Sequence, residues 1–183
     1  ASKIAADQMA ISFYKSFGLP LSIIRPFNTY GPRQSARAII PTIILQLLSG
    51  KKEIALGSTG TTRDFSYIDD TVDAFVNSIA AKNIEGEIIN LGSGTETSIK
   101  DLVEIISTQM NIKCKIVKDK KRIRPLKSEV NRLLSENSKA IKKLKWQPKY
   151  LGKSGLIKGL KETINWLSKK ENLKKYKSEI YNV

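Results

Sequence analysis

The tightest constraint on this chain is a rhythm. Short apolar runs of strand length alternate with longer stretches of helical periodicity, and glycine or proline marks most of the joints. Residues 2–17 read as a helix with Ile4, Ile11 and Phe13 or Tyr14 on its apolar side; Gly18 suits its end and Pro20 blocks continuation. Leu21 to Ile24 has the size of a buried strand, and a turn-rich loop follows from Arg25-Pro26 to Gln34. A second helix spans 37–49 and stops at Gly50; strands follow at 52–56 and 64–68 around the turn Gly57 to Gly60. Asp70, with Asp73 three residues on, predicts an N-capped helix reaching about Ala81. Glu87 to Leu91 is a strand that runs into Gly92-Ser93-Gly94, and Ser98 with Asp101 caps a helix carrying Leu102, Val103, Ile105 and Ile106. A strand at 114–117, a polar irregular stretch at 119–136, a short helix capped by Asn137 and a last amphipathic helix with Leu156, Leu160, Ile164 and Leu167 complete the pattern. Trp146 and Trp166 read as packing residues, and the charged tail from Lys169 as loose. Strands alternating with helices imply an α/β fold with parallel pairing.

Composition narrows the chemistry. A length of 183 residues suffices for one domain with a real core. No apolar run approaches the ~20 residues of a membrane helix, and the N-terminus does not read as a signal peptide. One cysteine, Cys114, leaves no internal disulfide and fits a cytoplasmic home. The absence of histidine removes Ser-His-Asp and Cys-His nucleophiles and any histidine-ligated zinc, so no metal site is expected. Acid and base roles fall to Tyr, Lys, Asp or Glu. The net charge of +15 is uneven: residues 1–110 hold 10 basic and 11 acidic side chains, and residues 111–183 hold 22 and 6. Such asymmetry can mark a nucleic-acid partner, but few aromatics interleave and no binding motif accompanies it. A lysine-rich solvated face, with neither nucleic-acid nor membrane partner, is the reading adopted.

No Gly-x-Gly-x-x-Gly follows any strand; Gly92-x-Gly94 is too short to cradle a pyrophosphate, and the chain opens inside a helix. Five blocks nevertheless stand in one order: Arg25-Pro-Phe-Asn-Thr-Tyr-Gly-Pro-Arg-Gln34, Ile40-Pro41, Arg63-Asp-Phe-Ser-Tyr-Ile-Asp-Asp70, Asn90-Leu-Gly-Ser-Gly94, and Arg122-Ile-Arg-Pro125 followed by Asn137-Ser-Lys-Ala140 and Leu144 to Pro148. In this order and spacing they resemble the extended short-chain dehydrogenases that act on nucleotide sugars, over about residues 1–168. Asn28 to Arg37 and Ser128-Glu129-Val130 look most like bacterial 4,6-dehydratases of nucleotide-activated N-acetylhexosamines, notably that of the legionaminic-acid pathway. Epimerases and UDP-glucuronate decarboxylases share much of the pattern.

The resemblance implies the C-terminal part of a Rossmann-like parallel sheet interleaved with a small α/β substrate-binding domain over 1–168, the dinucleotide-binding half being absent, and a charged tail at 169–183. It implies NAD as cofactor, a nucleotide-diphosphate sugar as partner, a homodimer in the full-length enzyme, and a fragment inactive by itself. Lys3 would be the lysine of Tyr-x-x-x-Lys, with its tyrosine just before residue 1. In the family it holds the nicotinamide ribose and its charge lowers the tyrosine pKa, as a cation near a phenol must. Pro26 and Phe27 would lie against the nicotinamide. Asn28, Arg33, Ile39, Arg63, Arg124 and Glu129 would face the substrate, the arginines because a guanidinium fork matches phosphate. The plainer readings are a turn asparagine for Asn28, a salt bridge to Asp64 or Asp69 for Arg63, and solvated charges for Lys3 and Arg124. Arg37 could face the ligand or simply open a helix.

Overall fold

The computed structural model describes residues 1–123, 125 and 128–176, and the expected alternation is there. Helix α1 (Ser2–Phe17) ends at Gly18, which takes the left-handed φ of 66° and returns its N–H to Tyr14. Strand β1 (Ile23–Pro26) pairs in parallel with β5 (Ile88–Leu91). Strand β3 (Glu53–Leu56) pairs in parallel with β7 (Lys115–Lys118). The central strand is β4 (Thr62–Tyr67), flanked by β2 (Asn28–Tyr30) and β8 (Arg132–Leu133) in parallel and by β6 (Glu96–Ser98) antiparallel. That one antiparallel rung, and strands β2, β6 and β8 themselves, depart from the pattern read from the residues; each has only two or three residues, too few to show a period.

Helices α2 (Ile39–Leu48), α4 (Ile99–Gln109) and α6 (Gly152–Leu167) close the larger core over β3 and β4. Ile43, Ile44, Leu102, Ile106 and Leu160 are fully buried there, and apolar burial of this kind contributes roughly 1.5–3 kcal/mol per side chain. A second, smaller core joins α3 (Ile68–Ala80), β5 and α5 (Ser138–Leu144) around Ile89, Leu91 and Trp146. Four large apolar side chains of α1 (Ile4, Met9, Phe13, Phe17) and four of α3 (Val72, Phe75, Val76, Ile79) remain exposed.

Three local expectations are corrected. Asp70 does not cap α3: the cap residue is Tyr67, and Asp70 is buried inside the first turn. Its carboxylate takes the N–H groups of Lys149 (2.7 Å) and Tyr150 (2.9 Å), tying the loop before α6 to α3. Asn137 holds the N-cap position of α5 as expected, but makes no side-chain cap bond there; its amide donates to the Gly92 carbonyl at 2.8 Å. Nor is the charged segment loose as far as Tyr176. A short helix, α7 (Lys170–Leu173), buries Asn172, whose amide donates to Trp166 O at 2.8 Å, and Tyr176 stands edge-on to Trp166. Ser98 behaves as expected, accepting the Asp101 N–H at 3.0 Å.

The smaller core carries a pH dependence. Lys139 and Lys143 of α5 both bond to the Glu87 carboxylate beside β5 and hold its pKa down at about 2, against an ordinary 4.5. A depressed folded pKa means that this contribution is complete above pH 4.5 and lost as pH falls towards 2. Glu96, held down by the Thr62 hydroxyl and Arg132, and Glu136, held down by Ser138, act in the same direction. Asp69, raised chiefly by burial, opposes them. The urea midpoint should therefore fall with acidification below pH 4.5, and Glu87→Gln should flatten that slope. An unaltered slope in the variant would separate Glu87 from acid sensitivity.

Candidate functional site

The site is built on the alternation of β4. Successive side chains of a strand point to opposite faces. Arg63 and Phe65 therefore share one face, and Asp64 and Ser66 the other. Asp64 is fully buried, and its two oxygens accept the backbone N–H groups of Ser93 (2.8 Å), Gly94 (3.0 Å) and Ser135 (3.1 Å) and the Ser93 hydroxyl (2.7 Å). One carboxylate thus pins the glycine turn after β5 and the segment after β8 to the central strand. Gly92 is required in that turn: a Cβ there would strike Ser135 and the Asp64 carboxylate.

On the opposite face lies a cleft of about 350 Å³. The parallel register sets Asn28 beside Phe65, two residues from Arg63, and the Asn28 amide donates to Asp64 O at 3.0 Å. Arg63 donates to its neighbour's carbonyl, Thr62 O, at 2.8 Å and to Glu129 at 3.1 Å, with both side chains of that ion pair only 15% exposed. Glu129, not Asp64 or Asp69, is thus the observed partner of Arg63. Ile39, Ile40 and Leu56 supply apolar wall, and Arg37 and Arg122 add cationic lining. Gln46, buried on α2, holds β3 in place by bonding to both the N–H (2.9 Å) and the C=O (3.3 Å) of Ala55.

Of the residues singled out in the sequence, Asn28, Ile39, Arg63 and Glu129 converge on this cleft, and so does Arg37. Arg124 lies outside the described residues. Arg33 does not line the cleft: it is exposed, with φ at 67°, and serves the turn of its loop. Lys3 is exposed on α1, away from the cleft lining; exposed Pro26 and half-buried Phe27, at the carboxyl end of the β1–β5 pair, also lie outside it, and Phe27 N–H donates to Leu91 O at 2.7 Å. Among the described residues no cluster of His, Cys, Asp and Glu could hold a metal ion. No described helix is long and apolar enough to cross a membrane.

Three residues at or behind the cleft stood inside the quoted blocks without a role of their own being legible there. Gln34 and Arg122 sat among ordinary turn and basic residues, and the role of Asp64 was hidden behind its neighbour Arg63. An acidic residue at the inward position of a central strand was the one available cue, since a buried carboxylate needs several donors.

Comparison with known proteins bears on the family and the fold. The family model described as GDP-mannose 4,6 dehydratase matches residues 1–158. A putative UDP-glucose 4-epimerase of Methanocaldococcus jannaschii is 30% identical over 169 residues, covering 91% of this chain and 52% of the relative. A dTDP-D-glucose 4,6-dehydratase of Homo sapiens is 32% identical, covering 97% of this chain and 49% of the relative. Among solved structures, a dTDP-glucose 4,6-dehydratase from Bacillus anthracis in complex with NAD superposes with a TM-score of 0.78 at 30% identity, over 93% of this chain and 51% of that one. A UDP-glucuronic acid 4-epimerase from Bacillus cereus in complex with UDP-glucuronic acid and NAD gives 0.80 at 28%, over 90% and 50%. The chain spans about half the length of the curated relatives it matches. By the extent of the family match and by these identities, the chain belongs to the NAD-dependent nucleotide-sugar epimerases and dehydratases of the short-chain dehydrogenase/reductase family.

Proposed function

We propose that this chain forms the sugar-nucleotide side of an NAD-dependent nucleotide-sugar 4,6-dehydratase, with residues 1–168 as the working unit. The observation that carries this reading is the meeting of Arg63, Asn28 and Glu129 on one cleft. Arg63 offers the guanidinium fork that suits a diphosphate. Glu129 offers a carboxylate that can accept from ribose hydroxyls, and Asn28 keeps its carbonyl oxygen for the ligand while its amide holds Asp64 O. Leu56 and Ile39 supply the apolar surface on which a base can lie.

The other end of the chain would serve the cofactor. Arg25 of β1 bonds to Asp7 of α1 at 2.8 Å, so α1 is tied alongside the strand. Lys3 is four residues before Asp7, on the same helix face. Lys3, with the backbone of Pro26 and Phe27, is the set that would hold the nicotinamide end. When bound there, NAD would supply the acceptor for the hydride lost from the sugar C4 and the donor of the hydride returned to C6 after dehydration. With C4 oxidised, the C5 proton is acidic and water can leave from C6. The task of the residues in this cleft is to hold the diphosphate and orient the sugar while this happens. A 4-epimerase or decarboxylase would use the same cleft, and relatives carrying the names UDP-glucose 4-epimerase and UDP-N-acetyl-alpha-D-glucosaminuronate decarboxylase favour keeping those outcomes beside the first. The exposed apolar faces of α1 and α3 support a homodimer of the whole enzyme, and one half-buried free thiol, Cys114, suits the cytoplasm.

The test is a binding panel on this chain: UDP-N-acetylglucosamine, dTDP-glucose, UDP, inorganic pyrophosphate and a duplex oligonucleotide, each at two salt concentrations. Sugar nucleotides should bind with weak salt dependence and be competed by their own nucleoside diphosphates. Oligonucleotide binding that collapses steeply with salt, with no sugar-nucleotide binding, would instead assign the basic C-terminal region to nucleic acid.

A further inference from the structure

The loop 31–38 forms one wall of the cleft through Gln34, Arg37 and Ala38. It is a costly piece of backbone. Arg33 sits in the left-handed region, which a residue with a Cβ occupies only when its surroundings enforce it. The Gln34 side chain donates to Thr29 O at 2.8 Å, next to Asn28, while its Oε1 is buried with no partner. Buried polar atoms without partners are rare, and a donor arriving with a ligand is one way to satisfy this one.

Beside its local hydrogen bonds, the bend takes one contact from 142 residues away. The Tyr176 hydroxyl donates to the Gln34 carbonyl at 3.0 Å. Tyr176 is itself set by three contacts of the C-terminal segment: its ring stands edge-on to Trp166, its N–H bonds to Leu173 O at 3.0 Å, and buried Asn172 ties α7 back to Trp166 O. We propose that Tyr176 is a positioning residue of the ligand cleft: the segment after α6 is a strap whose one hydroxyl fixes the backbone of Gln34, and through it the wall that faces the sugar nucleotide. This rests on the cleft being the ligand site, but the strap makes a claim about the unliganded chain as well.

The test uses Tyr176→Phe, which keeps the ring and its stacking and removes only the donor. Amide hydrogen exchange of residues 31–38 in the unliganded variant should rise about tenfold, with exchange in α4 and β4 unchanged. Affinity for UDP-N-acetylglucosamine should fall about three- to tenfold. In a Gln34→Ala background the same change should cost little further affinity, because the two residues act in series. Unchanged loop exchange in Tyr176→Phe overturns the strap, as does a uniform rise in exchange across α4 and β4, which marks general destabilisation. If the wild-type chain binds none of the sugar nucleotides, the cleft assignment fails, and the exchange measurement still decides the strap.

Discussion

Asp64→Ala should destabilise the chain by about 2–4 kcal/mol, because it leaves the buried Ser135 N–H and the half-buried N–H groups at Ser93 and Gly94 without their acceptor. The three N–H groups come from Ser93, Gly94 and Ser135, on two separate segments, and Gly92 packs so close that a Cβ there would meet the carboxylate. Asp64→Asn is the sharper comparison. It preserves shape, yet whichever way the amide lies, its NH2 faces N–H donors, so the loss should still be about 2–3 kcal/mol. Equilibrium unfolding in urea measures both. A loss below about 1 kcal/mol in Asp64→Ala would mean that solvent or rearranged backbone satisfies those donors. The damage should also reach the cleft, since the Asn28 amide is anchored on the carbonyl of the same residue.

Arg63→Ala should weaken binding of a sugar nucleotide by about 30- to 100-fold, and Arg63→Lys by about tenfold, since lysine keeps the charge and loses the fork. The alanine variant has two faults: it removes the donor, and it leaves Glu129, 15% exposed, as an unpaired carboxylate facing the incoming diphosphate. Glu129→Gln in the Arg63→Ala background should therefore recover part of the lost affinity, a non-additivity that isothermal titration calorimetry can read as a double-mutant cycle. Binding of wild-type strength in Arg63→Ala would place the diphosphate elsewhere, with Arg37 and Arg122 as the remaining cations of the lining.

How far the residues alone reached depends on the distance over which each interaction acts. Helices α1 and α4 were readable because their ends are written locally, by Gly18 with its left-handed φ and by Ser98 three residues from its donor. Asn28, Ile39, Arg63 and Glu129 were named through family resemblance; nothing in their spacing alone brings Glu129 to Arg63 across 66 residues. Asp70 and Asn137 were read as caps because the residue types that cap helices are also those that accept or donate at long range. Their partners are 79 and 45 residues away, where no periodicity reaches. The strap was missed for the opposite reason. A run of lysines drew attention to its charge, while the residues that dock it, Asn172 and Tyr176, are single and unremarkable in type.

The Arg63–Glu129 pair has a consequence for which molecules this cleft will retain. A cation already matched by a tethered anion projects little field into solvent, so free phosphate or sulfate meets an occupied seat and gains almost nothing by displacing it. A molecule that presents phosphate oxygens to the guanidinium and hydroxyls to the carboxylate can divide the couple without stranding either half. At this one pair a simple ion is therefore disfavoured, and the better-suited ligand carries both kinds of group on one frame.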